Sequence, residues 1–374
     1  MSQPFFTAVQ TDPRSQARAG ILHTARGPVR TPAFMAVGTR GSVKAIGPDD
    51  LAAAGARIIL ANTYHLYLRP GAELIQSFGG LHKFMGWSGP ILTDSGGYQV
   101  FSLSKLRKLT PDGVYFSSPY DGRKDFFSPE KAVEIQTLLG VDIMMCLDEC
   151  TAWPASYAEA AESLELTLAW AERCRKKWDP ASGQALFGIV QGGFYPELRR
   201  RAAQALRDLD FPGHSVGGLA LGEPEAVRLA AIETAQKELP PDKPLYLMGL
   251  GTPHDLMAGI ARGADLFDCV LPTRNARNGQ FFTRRGRLNI RRSCYRADPR
   301  PADPDCRCYT CRVFSRAYLR HLQQNREPLY LRLATIHNLH YYLELMQGAR
   351  EAILAGALTE YTAEFEALQK EGPV

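Results

Sequence analysis

Asp265-Leu-Phe-Asp-Cys-Val-Leu-Pro-Thr-Arg-Asn-Ala-Arg-Asn-Gly-Gln280 is the stretch around which the chain is organised. A short apolar segment carries Asp268 in its middle, Pro272 stops it, and Arg274 and Arg277 follow at once. A carboxylate on a buried strand is costly unless it is paired or used. Arginines a few residues later are the residue type that grips phosphate. The pattern predicts a buried strand that ends in a reactive carboxylate beside a nucleic-acid backbone.

The same template, an apolar run that stops at a polar residue or glycine, recurs upstream. It covers Ala33 to Gly38, Arg57 to Asn62, Pro90 to Asp94, Asp142 to Asp148, Leu186 to Gln191, His214 to Leu219 and Leu245 to Gly249. Near-continuous apolar runs are the mark of strands buried on both faces. Between them, Ser128 reads as an N-cap with Pro129 at the first helical position, and Gly140 closes that helix. Tyr157 to Lys177, Pro196 to Leu209 and Glu225 to Leu239 also read as helices. Strand and helix alternate eight times, which predicts an α/β chain closed into a (β/α)8 TIM barrel. The alternative, a doubly wound sheet, wants a glycine fingerprint, but Gly249-Leu-Gly251 runs on to His254 where the third glycine should stand.

Two stretches fall outside a plain barrel. Residues 100–127 read as a β-hairpin insertion, with turns at Pro111-Asp-Gly113 and Tyr120-Asp-Gly122. Thr273 begins an arginine-rich block that reaches Tyr341. After it, Leu343, Met346, Leu354, Leu358, Tyr361, Phe365 and Leu368 keep helical spacing, as one long amphipathic helix that packs back on the barrel or on a partner. The expected organisation is a barrel over 1–272, an inserted zinc-binding subdomain over 273–341 and a C-terminal helix over 342–374.

With 45% hydrophobic and 22% charged residues among 374, the chain is ordinary globular material. It has no apolar run of membrane-spanning length and no signal-like start, so a cytoplasmic protein without a membrane partner is expected. The net charge of +5 is unevenly spread: residues 273–332 hold 15 arginines, no lysine and 4 acids, a local +11 that leaves −6 for the rest. Such an excess is a footprint for a polyanion. Of the eight cysteines, Cys306, Cys308 and Cys311 crowd together and the others are scattered, which favours a metal site over disulfides. Three thiolates with His337 make a closed Cys3His set suited to one structural Zn2+, although His321 and His340 lie nearby.

In this barrel class the active site sits at the C-terminal ends of the strands. Those ends collect Asp94, Asp148-Glu149-Cys150, Gln191-Gly192-Gly193, Gly217-Gly218-Leu219, Gly249 and Asp268. A carboxylate accepts two N–H donors from a guanine-type edge, and a glutamine adds a donor and an acceptor. Two carboxylates, one nucleophile and one acid/base, are standard apparatus at an anomeric carbon. Tyr98 and Met248 stand next to ring positions and suit a flat base, as core packing also would; Lys44, in the loop after the first strand, suits a phosphate, although an ordinary surface lysine is the favoured reading.

Thr93-Asp-Ser-Gly-Gly-Tyr-Gln-Val100, Asp148-Glu-Cys150, Gly188-Ile-Val-Gln-Gly192, Val216-Gly-Gly-Leu219, Phe267-Asp-Cys-Val-Leu-Pro-Thr-Arg274 and the Cys3His set resemble bacterial tRNA-guanine transglycosylase, in order from about Pro32 to His337. The resemblance implies a homodimer that exchanges wobble guanine in tRNAs with GUN anticodons (Asp, Asn, His, Tyr) for 7-aminomethyl-7-deazaguanine, preQ1, toward queuosine. It implies that Asp268 is the nucleophile of a covalent ping-pong mechanism and Asp94 the acid/base. Ser95, Tyr98, Asp148, Cys150, Gln191, Gly218, Leu219 and Met248 match the groups around the base. Lys44, Gly249, Leu250, Gly251, Thr252, Pro253, His254, Asp255, Thr273, Arg274, Asn275, Ala276 and Arg277 match the segments that line the RNA. Leu221 stands where the bacterial motif has valine. Competing readings are a queuine-using enzyme, a non-catalytic RNA-binding accessory subunit, and a barrel hydrolase of small nucleosides, which gives the +11 block nothing to do.

Overall fold

The computed structural model describes residues 4–97 and 107–372. Its centre is a closed parallel barrel of eight strands. They are β1 (Ala33–Val37), β2 (Ile59–Ala61), β3 (Ile91–Thr93), β4 (Ile143–Met145), β5 (Ala185–Val190), β6 (Gly213–Val216), β7 (Leu245–Leu247) and β8 (Leu266–Cys269). Each coincides with one of the apolar runs read from the sequence. β8 closes the ring on β1, with Asp268 opposite Met35. Every residue of β1 and of β5 is buried, because side chains point alternately into the barrel and under the outer helices. Inside, Met35, Leu60, Leu92, Met145, Phe187 and Tyr246 belong to one apolar cluster.

The N-terminal segment, counted with the barrel over 1–272 but given no strand of its own, forms a three-stranded antiparallel sheet (Phe6–Thr11, Arg18–Thr24, Gly27–Thr31). Phe6, Leu22 and Val29 join the cluster inside the barrel, and the Phe5 ring meets Phe187 edge-on at 5.9 Å. Arg18 from this sheet grips Asp265 through Nε at 3.1 Å and Nη2 at 2.6 Å. Asp265 is thus the paired, structural carboxylate of the opening stretch, and Asp268 is the one left for other work.

The outer helices begin and end where their caps dictate. Ser128 Oγ accepts from the Lys131 N–H at 3.2 Å, and Gly140, at φ 68°, ends the helix Pro129–Leu139. Ser156 and Glu159 form a reciprocal cap on Tyr157–Lys177. Residues 100–106 of the expected 100–127 hairpin lie outside the described residues, and the rest has one strand more than a hairpin. Arg107–Thr110, Gly113–Ser117 and Lys124–Phe127 make a three-stranded antiparallel sheet, with both turns where they were expected. The extra strand is four residues long and only Phe127 is buried on it, so it leaves almost no apolar signal.

The C-terminal region also departs from expectation. One helix, Pro328–Leu354, runs straight through the boundary expected at 341. It lies against the barrel, with the Tyr342 ring 4.9 Å from Phe34 and the Tyr342 hydroxyl donating to the Gly251 carbonyl at 2.5 Å. Gly356, at φ 67°, then breaks the expected single helix, and Leu358–Glu371 follows as a second one. No helix among the described residues is long and apolar enough to cross a membrane.

His214, in β6, is buried with neither ring nitrogen partnered among the described residues. Burial and then Lys243 push its imidazole down to about 4. The unfolded chain takes up this proton near pH 6.5 and the folded one only near 4, so stability present above that window is lost as pH falls through it. The loss is at most about 3 kcal/mol. Thermal melts between pH 7 and 4.5 should show a smaller drop for His214→Gln than for the native chain; equal drops would refute the assignment.

Candidate active site

The C-terminal strand ends surround a cavity of about 380 Å³ whose lining includes Asp94, Asp148, Cys150, Gln191, Gly218 and Asp268. The polar residues that the sequence left scattered therefore share one cleft. Asp94 directly follows β3. It is fixed by two residues after β2: the Asn62 amide donates to Oδ2, and the Thr63 N–H donates to Oδ1 at 2.9 Å. The Thr63 hydroxyl also donates to the Asp94 carbonyl at 2.5 Å. This carboxylate is held by its neighbours yet still borders the cleft.

Asp268 is held differently. Tyr246 donates its hydroxyl to Oδ1 at 2.6 Å, and the Gly249 N–H donates to the same oxygen at 2.8 Å. Among the described residues no donor reaches Oδ2. Burial pushes the Asp268 carboxyl up, and these two hydrogen bonds work against that rise. One oxygen is anchored and the other keeps its lone pairs, which is the arrangement a nucleophilic carboxylate requires.

Asp148 receives the Ser95 hydroxyl on Oδ1 at 3.0 Å and the Gln191 amide on Oδ2 at 2.7 Å. Burial pushes it up to about 6, against those hydrogen bonds. The glycines around it are forced by space. A Cβ on Gly217 would lie 2.6 Å from Gln191 Nε2, and one on Gly218, whose φ is already +65°, would lie 2.7 Å from Oε1. The Cys150 thiol is pushed up to about 12 by burial and then by Asp148, so it is a neutral wall rather than a second nucleophile. Leu219 and Met248 complete the apolar lining, and Met248 Sδ accepts from Ser215 Oγ at 3.4 Å. Tyr98 lies outside the described residues.

Several organising residues carry no signal that the sequence reading used. Asn62, Thr63 and Tyr246 hold the two aspartates, although Asn62 ends an apolar run and could have been noticed for that. Arg199, fully buried on the helix Pro196–Asp208, donates to the carbonyls of Gly193 at 2.6 Å, Val190 at 3.0 Å and Gly217 at 2.8 Å. Those carbonyls flank Gln191 and Gly218, so one guanidinium sets the register of both. Burial lowers it only to about 10, which leaves it charged. Glu223 accepts from the N–H groups of Ala220 and Leu221, both at 2.7 Å, and holds Ala220 at φ 58° beside the cleft.

The residues expected to line RNA separate into two groups. Leu250, Gly251, Pro253, Thr273 and Ala276 are buried, and a Cβ on Gly251 would strike Cys269 at 2.0 Å. Thr252 and Asp255 cap the helix Pro253–Ala261, and Asp255 also receives Arg228 at 2.7 Å. Asn275 is half-buried, and His254 is exposed and meets Glu225 at 2.8 Å. Lys44, Gly249, Arg274 and Arg277 are exposed, and Gly249 lines the cleft. The arginine block is also less free than its count implies. Arg284, Arg285, Arg300, Arg316 and Arg332 are tied to carboxylates.

Cys306, Cys308, Cys311 and His337 bring their donor atoms within 4.8 Å of one another, all buried. His337 Nδ1 lies 3.2 Å from Cys311 Sγ, while Nε2 is 2.8 Å from the Phe282 carbonyl. That second contact carries the ring proton and aims the other nitrogen at the thiols. The rival histidines drop out: His321 is exposed, and His340 faces Glu344 at 3.8 Å. Three thiols and one imidazole closed around one point can hold a metal ion and leave no coordination position open.

A family model described as queuine tRNA-ribosyltransferase matches residues 12–371. A protein of that name from Nitratidesulfovibrio vulgaris is 57% identical over 356 residues, 95% of each chain. One from Caldanaerobacter subterraneus subsp. tengcongensis is 55% identical over 360 residues, 96% of each chain. One from Acidithiobacillus ferrooxidans is 55% identical over 356 residues, again 95% of each. With the barrel, the paired aspartates at one cleft and the Cys3His cluster in place, the chain belongs to the queuine tRNA-ribosyltransferase family of base-exchanging transferases.

Proposed function

We propose that this chain exchanges the wobble guanine of GUN-anticodon tRNAs for preQ1, as a step toward queuosine, in the cytoplasm. The observation that carries the reading is the pair of carboxylates on one cleft, with Asp268 anchored through a single oxygen. Asp268 Oδ2 attacks the ribose anomeric carbon, and the bond to guanine breaks as guanine takes a proton from Asp94. The incoming base then gives its ring proton to Asp94 and attacks the same carbon, which releases the Asp268 carboxylate. The sugar is never free, so exchange proceeds without net hydrolysis and with ping-pong kinetics. Asp148 accepts from the N–H groups of the purine-like edge, and Gln191 with the Gly218–Leu219 backbone frames it. The target base must leave the anticodon stack, which costs a few kcal/mol that backbone contacts offset. The Cys3His cluster holds a structural zinc.

The deciding experiment supplies labelled guanine and an anticodon stem-loop; label in the RNA supports the reading. Binding without incorporation would instead favour the accessory-subunit alternative, which leaves Asp94 and Asp268 without use. Competition among preQ1, queuine and guanine then fixes the incoming base. A second copy of the chain has a surface to meet: Phe314 stacks on Tyr318 at 5.4 Å, Tyr318 is 39% exposed and Val313 57%.

The Asp148 carboxyl, pushed up to about 6, gives a pH signature. Its ionised form is needed to accept from the base, so KM for the incoming base should rise as pH falls below about 6. Asp148→Asn should raise that KM at neutral pH and flatten the dependence. A native profile that is flat down to pH 5 would exclude this role.

A further inference from the structure

Some exposed arginines are tied to acids, among them Arg14 to Glu360, Arg201 to Glu165, Arg300 to Asp298 and Arg332 to Asp50, while others, such as Arg26, Arg57 and Arg291, have no such partner among the described residues. Two of the second kind converge on one aromatic ring. Arg40 and Arg69 are exposed and have no carboxylate within ion-pair distance among the described residues. Both instead lie over one ring, Tyr120, with guanidinium carbons 5.7 Å and 4.6 Å from its centroid. The neighbouring acids are engaged elsewhere: Asp125 by Tyr67 and Lys131, Asp121 by the Arg123 N–H. Two like charges gathered on one aromatic face, neither held by a carboxylate in an ion pair among the described residues, favour an anion that both can reach. The ring also restrains two long side chains and so reduces the entropy lost on binding.

Their place in the fold says which anion. Around the barrel β8 is followed by β1 and then β2. Arg274 and Arg277 follow β8, Arg40 follows β1, and Arg69 ends the helix Thr63–Leu68 that follows β2. Asn62 and Thr63, at the start of that helix, hold Asp94. Arg40 and Lys44 act electrostatically on His65, which lines the cleft. The cations thus run along one side of the mouth, while Asp148, Gln191 and Gly218, after β4, β5 and β6, floor the opposite side. A nucleotide whose base reaches that floor carries its backbone along the cationic side.

We propose that Arg40 and Arg69, gathered on Tyr120, are a phosphate clamp for the RNA backbone on the other flank of the reacting nucleotide from Arg274 and Arg277. The proposal rests on the transglycosylase reading for the identity of the RNA, but not for the clamp's chemistry. Neither arginine is part of the base pocket. Arg40→Ala combined with Arg69→Ala should raise KM for an anticodon stem-loop roughly 10-fold at moderate salt and reduce the slope of log affinity against log salt by roughly 1 to 2. The kcat at saturating RNA and the affinity for free guanine should not change. Tyr120→Leu keeps both charges and should raise KM less, with the salt slope intact. Unchanged RNA affinity and slope in the double variant, or a loss confined to guanine affinity, would overturn the clamp. If the native chain incorporates no guanine at all, the parent reading falls, and the salt slope of RNA binding still decides the clamp.

Discussion

Asp268→Asn should abolish the covalent RNA adduct and lower base exchange by a factor on the order of 10⁴ or more. The substitution is nearly isosteric, and the amide oxygen can keep accepting from Tyr246 and Gly249, so the fold and the cleft persist. What disappears is the lone-pair oxygen free to attack, replaced by an amide nitrogen that is no nucleophile. Asp94→Asn has a different signature. The adduct should still form with a good leaving base, while turnover stalls because the departing and arriving bases lack a proton partner. Denaturing gels of enzyme with stem-loop RNA, read beside melting curves, separate the two. An adduct that survives Asp268→Asn would move the nucleophile elsewhere.

Removing the metal should be the second large effect. The block from Thr273 to Tyr341 has short elements, among them a two-stranded ribbon (Gln280–Thr283, Gly286–Asn289) and the five-residue helix Tyr309–Val313, and few of them can stand alone. The cysteines come from the middle of this block and His337 from near its end, and His337 Nε2 reaches the Phe282 carbonyl of the ribbon, so one ion would join three pieces. Structural zinc contributes on the order of 10 kcal/mol in small domains, and part of that is at stake here. Chelation or Cys308→Ser should lower the melting temperature, open the block to protease and reduce exchange together. Metal analysis, melting and proteolysis check it. A zinc-free chain that stays folded and active would end the structural-metal assignment.

Much of this architecture is legible in the residues because a barrel concentrates its signals. Strands covered on both faces show as apolar runs, and the polar residue that stops each run lies at the same rim, so reading ends alone gathers Asp94, Asp148, Gln191 and Asp268. What stayed hidden works across the sheet rather than along it. Tyr246 looks like one more core aromatic until β7 is placed beside β8. Arg199 looks like a surface helix charge until its turn is seen to face three strand-end carbonyls. Arginine counts were informative about sign but not availability, since a pair such as Arg316 with Asp298 depends on residues brought together only by folding. The third strand of the insertion and the break at Gly356 escaped because four mostly exposed residues and one glycine carry little pattern.

The hydrogen bond from Tyr342 to the Gly251 carbonyl has a consequence for the order in which the protein is made. Asp94, Asp148 and Asp268 are all synthesised before it, yet the loop beginning at Gly249, whose own N–H anchors Asp268, is braced by a residue 91 positions after Gly251. The same helix carries His337, the last member of the Cys3His cluster in chain order. The loop that anchors Asp268 and the fourth donor of the Cys3His cluster therefore depend on one helix, and the carboxylates are made well before the element that braces them.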